Sequence, residues 1–370
     1  MLKTLFKASL LYASCLFIQF NSVNATEVTI LDESLVPVET RSTAERNKAI
    51  SVALQNVILK NSGATAALTN PIIIARVKSP NTLISQYGYH DIDGELFLKV
   101  NFDHKRILEL LREAQLPVWG KQRPLTLIWL VEDLDGERSI LNDGSLLDSR
   151  QIFKLEAEAK GVPLIFPLMD LDDNMQISIN DVRGMFVEQI EQASQRYQAD
   201  YFVVASMSPN ANGVEYSVSL FAEGNDEQEM KTPLVTHRQV AVDASAAVTG
   251  IISTVSEYYV SRYAIADSGE QLNSTVTFVD ISEMKQLVEI EKYLKQLSAV
   301  KAVNVSQMLG TRVTYNLELF GSLEDLHRLM ALEPRVFEAE SNNDGDMSSN
   351  NNIETSIVVP AQKLEYRWRG

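Results

Sequence analysis

The sequence predicts a mixed α/β protein (α+β overall), with a central α/β sheet domain flanked by two βαββα modules. Three observations lead there. Nearly continuous apolar runs at 125–131, 162–166 and 201–206 suit short strands buried on both faces of a parallel sheet. Helical stretches separate those runs, as crossover connections require. The order strand, helix, hairpin, helix occurs once on each side of this centre. A chain of 370 residues has room for more than one domain. Its 45% hydrophobic and 22% charged residues are ordinary for a globular protein.

The first element is a targeting signal at 1–25. Lys3 and Lys7 precede an apolar stretch from Ala8 to Phe20, which ends in the small residues of Val23-Asn24-Ala25. About 13 apolar residues fall short of the roughly 20 that a spanning helix needs. Lipidation of Cys15 is disfavoured because Tyr12 stands where Leu is usual and the apolar run continues past the cysteine. The signal holds two lysines and no acids, so 33 basic and 49 acidic residues become 31 and 49, a charge of −18. It also removes the single cysteine, which suits an oxidising compartment and excludes a cysteine nucleophile. The expected location is the periplasm. No later segment is a membrane span, and the acidic balance argues against nucleic acid, whose phosphates need clustered Lys and Arg.

The N-terminal module is expected over 26–117. Glu27–Leu31 reads as a strand, Ser42-Thr43-Ala44-Glu45 as a capping box, and Ile50, Ala53, Leu54, Val57 and Ile58 as the buried stripe of a helix ending at Gly63. After a polar loop, Leu83–Tyr89 and Glu95–Phe102 form a hairpin through Asp93-Gly94, and a helix runs through Ile107–Leu111. The central domain, 118–268, adds helices at Leu146–Lys160 and Asp181–Gln198. Two further strands, Val214–Phe221 and Leu234–Val242, precede a helix from Ala244 to about Tyr263. The C-terminal module, 269–335, repeats the first order: Thr275–Asp280, a helix from Met284, a hairpin around Gly310 and a last helix capped by Ser322. The two modules are either a divergent repeat or two instances of one common unit. Residues 336–355 form a polar linker. The tail, 356–370, regains apolar and aromatic character and either adds a strand to its own chain or holds a partner by strand pairing.

Several motifs resemble a family. Leu116-Pro117-Val118-Trp119-Gly120 with Arg123-Pro124 and Trp129 is one group of residues. Gly161–Leu164 with Pro167-Leu168-Met169-Asp170-Leu171-Asp172-Asp173, and Ala193-Ser194 with Arg196-Tyr197, are the others. Together, over roughly Glu27 to Leu332, they resemble DUF2066, exported Gram-negative proteins of unknown function. The resemblance implies export and a shared architecture, and it carries no activity over. Lys160 stands where the family pattern has Arg, which speaks against bidentate anion binding there.

Two constellations carry candidate chemistry. Glu132, Asp133 and Asp135 form one carboxylate loop and Asp170, Asp172 and Asp173 another. If the three apolar runs are parallel, both loops lie at the carboxyl edge of the sheet, where open α/β sheets bind ligands. Hard oxygens there would suit Ca²⁺ or Mg²⁺, while solvated loops or helix caps are the simpler alternative. Asp170, Asp172, Asn174 and Asp181 faintly follow a calcium loop, but Met175 stands where its turn needs Gly. Trp119, Arg123 and Trp129 form the second constellation, either a peptide or glycan ligand site or an inter-domain joint. Enzyme signatures are sparse. There is no dinucleotide fingerprint, P-loop, His-Glu-x-x-His or nucleophile elbow, and the four histidines are far apart. Ser282-x-x-Lys285 and Ser298-x-x-Lys301 both match a serine–lysine motif without its companion elements. The expected function is a non-enzymatic binding or scaffold protein of the bacterial cell envelope, with protein partners and no required cofactor. The alternative is a divalent-cation-dependent hydrolase or transferase using the carboxylate loops.

Overall fold

The computed structural model describes residues 30–92, 94–134, 136–224, 232–339 and 364–370. The targeting signal, the linker stretch 341–354 and Asp135 lie outside the described residues.

The N-terminal module comprises β1 (Glu33–Pro37), α1 (Thr43–Ser62), α2 (Pro71–Lys78), β2 (Ile84–Ile92), β3 (Glu95–Phe102) and α3 (His104–Glu113). Its antiparallel sheet has the order β1-β3-β2. The expected strand Glu27–Leu31 lies mostly outside the described residues; β1 turns the alternating pair Ser34 and Val36 inward opposite β3. Ser42 caps α1 by accepting from the Glu45 N–H. The Glu45 carboxylate does not return to Ser42; it accepts from the backbone N–H groups of Glu39 and Thr40, so the expected box is half formed. Helix α2 was hidden in the stretch read as a polar loop. Asn70 caps it and Pro71 fills its first position, where a missing N–H costs nothing.

The central sheet has the order β5-β4-β7-β8-β9, with β6 also pairing β4. Its members are β4 (Thr126–Leu134), β5 (Glu137–Ile140), β6 (Leu164–Ile165), β7 (Tyr201–Asn210), β8 (Gly213–Ala222) and β9 (Val235–Ala241). As expected, β4, β6 and β7 run parallel. Alternation along β4 serves two cores: Ile128 and Leu130 face one, and Leu127, Trp129 and Val131 the other. Helices α4 (Asp148–Lys160) and α8 (Ala244–Tyr263) supply residues to the first. Helices α6 (Ile179–Arg183) and α7 (Val187–Ser194) supply residues to the second, together with Ile177 just beyond α5 (Leu171–Gln176). The expected single helix 181–198 is broken at Gly184–Phe186, where Met185 takes a left-handed φ of 56°.

The C-terminal module comprises β10 (Leu272–Val279), α9 (Met284–Gln296), β11 (Val300–Leu309), β12 (Arg312–Leu319) and α10 (Leu323–Met330). Two strands extend it, β13 (Val336–Glu338) and β14 (Leu364–Trp368), giving the sheet order β11-β12-β10-β14-β13. Without those two, the order β10-β12-β11 matches β1-β3-β2, so the end modules share sheet topology, while α2 is an extra element of the N-terminal one. The N-terminal module has a core of its own, whereas one apolar cluster runs from the central sheet through α8 into β10, β12 and α10. No helix among the described residues is long and apolar enough to cross a membrane.

Candidate functional site

Arg123, expected with two tryptophans to form either a ligand site or an inter-domain joint, sits in surroundings that make it the joint. The side chain is buried, and all of its donors meet backbone carbonyls. Nε donates to Gly120 O (2.9 Å), Nη1 to Gly161 O (2.6 Å), and Nη2 to Lys60 O (2.6 Å) and Trp119 O (2.9 Å). Its guanidinium lies 3.8 Å from the Trp119 ring centroid. These acceptors come from the last turn of α1, the segment 119–120 and the end of α4. One planar fork thus ties the N-terminal module to the central domain. Burial pulls the Arg123 pKa down to about 9, which still leaves it cationic at neutral pH. Gly161 makes room for it. The glycine ends α4 at φ 67°, and a Cβ there would come 2.3 Å from Nη1.

Arg112 repeats the device between the end modules. It donates to Ile265 O and Ser298 O at 2.7 Å each and lies over Phe320. Desolvation lowers its pKa to about 10.

The two tryptophans do not meet. Trp119 belongs to the core shared with α8, tilted against Tyr259, and its Nε1 is buried without a partner. Trp129 lies on the opposite face of β4, where Nε1 donates to Ser194 Oγ at 2.9 Å and the ring stands edge-on to Tyr197. Both are fully buried, so neither presents a ring to solvent.

Two of the first carboxylate group are not in a loop. Glu132 and Asp133 belong to β4, which continues into a hairpin with β5 that the sequence reading missed. Glu132 is buried and accepts from Ser149 Oγ at 2.6 Å, and Asp133 pairs with Arg138 at 2.5 Å. The second group does lie beyond the end of β6, but as a lock. Asp170 caps α5 through the Asp173 N–H and receives both Arg196 Nη atoms at 2.8 Å. The hydrogen bonds from Arg196 hold its pKa down at about 2. Asp173 is buried and accepts from Tyr197 Oη (2.5 Å), the Met169 N–H (2.8 Å) and Arg196 (3.0 Å). Burial and the adjacent Asp173 raise the Tyr197 pKa. Asp172 is exposed. The motif Pro-Leu-Met-Asp-Leu-Asp-Asp and the pair Arg196-Tyr197 are therefore two halves of one clamp. Among the described residues, no three His, Cys, Asp or Glu side chains converge to hold a metal ion. The serine–lysine pairs also diverge: Lys285 pairs with Glu289 and Lys301 with Glu318.

Beside the clamp the surface turns apolar. Leu168 is 54% exposed, and Leu171 and Met175, one turn apart on α5, are 75% and 77% exposed. A hydrogen bond from the Asp143 N–H to Pro167 O (2.9 Å) brings the loop before α4 alongside, where Leu146 is fully exposed. Scattered exposed leucines are ordinary, whereas Leu168, Leu171 and Met175 fall within eight residues of chain. A second open feature is a groove of about 600 Å³ between α8 and β9, lined by Tyr216, His237, Gln239, Thr254 and Glu257. The small polar residues Gly250, Ser253, Thr254 and Ser261 form a helical stripe along it, legible in the sequence but read only as part of a soluble helix.

With this geometry in hand, the family comparisons fall on the two end modules. Residues 272–370 match the family DUF2066. Residues 25–120 match a second family, a domain of unknown function designated DUF8605. The family named from the motifs is thus found, its match overlapping the end of the stretch Glu27 to Leu332. Apart from Leu116–Gly120, which falls in the DUF8605 stretch, the motif residues lie between the two matches. The DUF2066 stretch coincides with the C-terminal module and includes β14. No curated protein matches the chain.

Proposed function

We propose that this chain is an exported, non-enzymatic binding or scaffold protein of the bacterial cell envelope, contacting its protein partner through the carboxyl edge of the central sheet. Export rests on the leader-like residues 1–25. The observation that carries the binding role is the apolar ridge of Leu168, Leu171 and Met175, with Leu146 exposed on the loop bonded to Pro167. The clamp beneath it fixes the ridge, since Asp170, Asp173, Arg196 and Tyr197 spend their bonding capacity on one another. Exposed Asp148 and Asp172 flank the ridge, so an apolar segment bearing Lys or Arg complements it. The bonds of Arg123 and Arg112 hold the modules in a fixed relation, as a scaffold requires.

The test compares envelope capture by the wild-type chain with capture by a Leu171→Asp, Met175→Asp variant of equal stability. A partner retained by the first and lost by the second supports the reading, and one retained equally by both refutes it. A metal-dependent activity abolished by Asp170→Asn and Asp172→Asn would favour the cation-dependent hydrolase or transferase instead.

A further inference from the structure

The C-terminal strand β14 has the marks of a bound peptide rather than of an ordinary continuation of the fold. The N-terminal module shows that a β-α-β-β-α unit with this strand order is complete with three strands. In the C-terminal module the equivalent edge, β10, instead carries β14 in parallel pairing. Val276, Thr277, Phe278 and Val279 lie opposite Leu364, Glu365, Tyr366 and Arg367. On its other side β14 pairs antiparallel with β13. The Ala339 N–H donates to Glu365 O at 2.8 Å, so the chain leaves and re-enters at adjacent points. A turn of two to five residues joins strands so placed. This chain uses residues 340–363 for the same connection.

The seat reads the strand by side chain as well as by backbone. Tyr366 and Trp368, at alternate positions, are both buried. Tyr366 packs 5.9 Å from Phe278 and 6.4 Å from His327, and Trp368 packs 5.5 Å from Tyr293 with Arg335 over its ring. Glu365 pairs with Arg312, and Arg367 with Asp280 at 3.0 Å. The fit is incomplete, because Trp368 Nε1 and Tyr293 Oη are buried without a hydrogen-bond partner. Two unpaired buried donors and the 24-residue separation between Ala339 and Leu364 both weaken the hold that aromatic burial supplies.

We propose that the slot between β10 and β13 is a peptide-binding site for an extended segment carrying aromatic residues at alternate positions, occupied in this structure by the chain's own Leu364–Trp368. Recognition is strand addition, with the aromatic pockets giving specificity. The tether keeps the resident strand at an effective concentration in the millimolar range, so a competing segment enters when the tether is cut or when it binds more tightly. This slot is separate from the apolar ridge, and neither proposal depends on the other.

The test uses the full chain with a protease site inserted between Gly345 and Asp346. Fluorescein-labelled peptide of residues 364–370 is added before and after cleavage and followed by anisotropy. The site predicts exchange into the cleaved protein, at least tenfold weaker binding to the intact protein, and no binding of a peptide carrying Trp368→Ala. Retention of the cleaved fragment against excess peptide overturns the proposal. So does release without uptake, and so does aggregation on cleavage. Amide exchange in the intact chain gives an independent readout: β14 must exchange at least tenfold faster than β12, and equal protection contradicts the proposal.

Discussion

Replacing Arg123 by Met removes every donor from the module joint while keeping a long side chain in the space against Trp119. Four carbonyls then lose their charged donor: Lys60, Trp119, Gly120 and Gly161. At the low end of the cost of an unsatisfied buried group, about 1 kcal/mol each, the loss is about 4 kcal/mol. Sparing the desolvation of one buried cation returns part of it, leaving an expected destabilisation of about 3 kcal/mol. Titration does not confuse the measurement. The folded pKa of about 9 and the still higher ordinary value of a guanidinium both lie above the working range, so this contribution is flat between pH 5 and 8. Urea denaturation followed by tryptophan fluorescence is the assay. The N-terminal module has its own core, so the variant must also separate one transition into two. Arg123→Lys recovers only a minor part, since a point charge cannot span four acceptors. A variant within about 1 kcal/mol of wild type and with one transition would refute the joint.

Three further outcomes follow from the same bonds. Trp119→Ala costs about 3–5 kcal/mol, as for other buried tryptophans, and calorimetry reads the loss; unchanged stability would restore the ligand-site reading. Asp170 has a folded pKa near 2, below its ordinary 3.8, so its contribution is full above pH 4 and is lost as pH falls toward 2. In Arg196→Ala that part of the acid sensitivity disappears from a pH series of thermal midpoints, and an unchanged series would refute the clamp. Millimolar Ca²⁺ or Mg²⁺ leaves the thermal midpoint unmoved; a rise abolished by Asp172→Asn would reinstate the cation site.

The sequence revealed most where a single period ruled. The buried runs of β4 and β7, the long helices α1 and α8, and the capping residue Ser322 stand where periodicity and cap chemistry put them. Short elements were lost. Helix α2 announces itself only by Asn70-Pro71, and β5 only by Gly136, signals too brief for a window of ten residues. The roles of polar residues were the least legible, because they depend on partners far along the chain. Arg123 left a ligand site and an inter-domain joint both open, and its bonds to Lys60 and Gly161, 63 and 38 residues away, decide for the joint. Likewise the acids at 170 and 173 left a cation site, solvated loops and helix caps open; Asp170 is a cap, and the bonds from Arg196 and Tyr197 lay beyond sequence patterning. The tail was the clearest case of an open choice, since composition supported a strand on the same chain or on a partner. It lies on its own chain, between β10 and β13.

The central claim, that the carboxyl edge is a docking surface, is tested most directly in cells. A photo-crosslinking residue is placed at Leu171 or Met175 of the exported protein, with a control at Lys292 on α9. The account predicts discrete adducts with an envelope protein from positions 171 and 175 and none from 292. No adduct from the ridge, or the same adduct from all three positions, would contradict it.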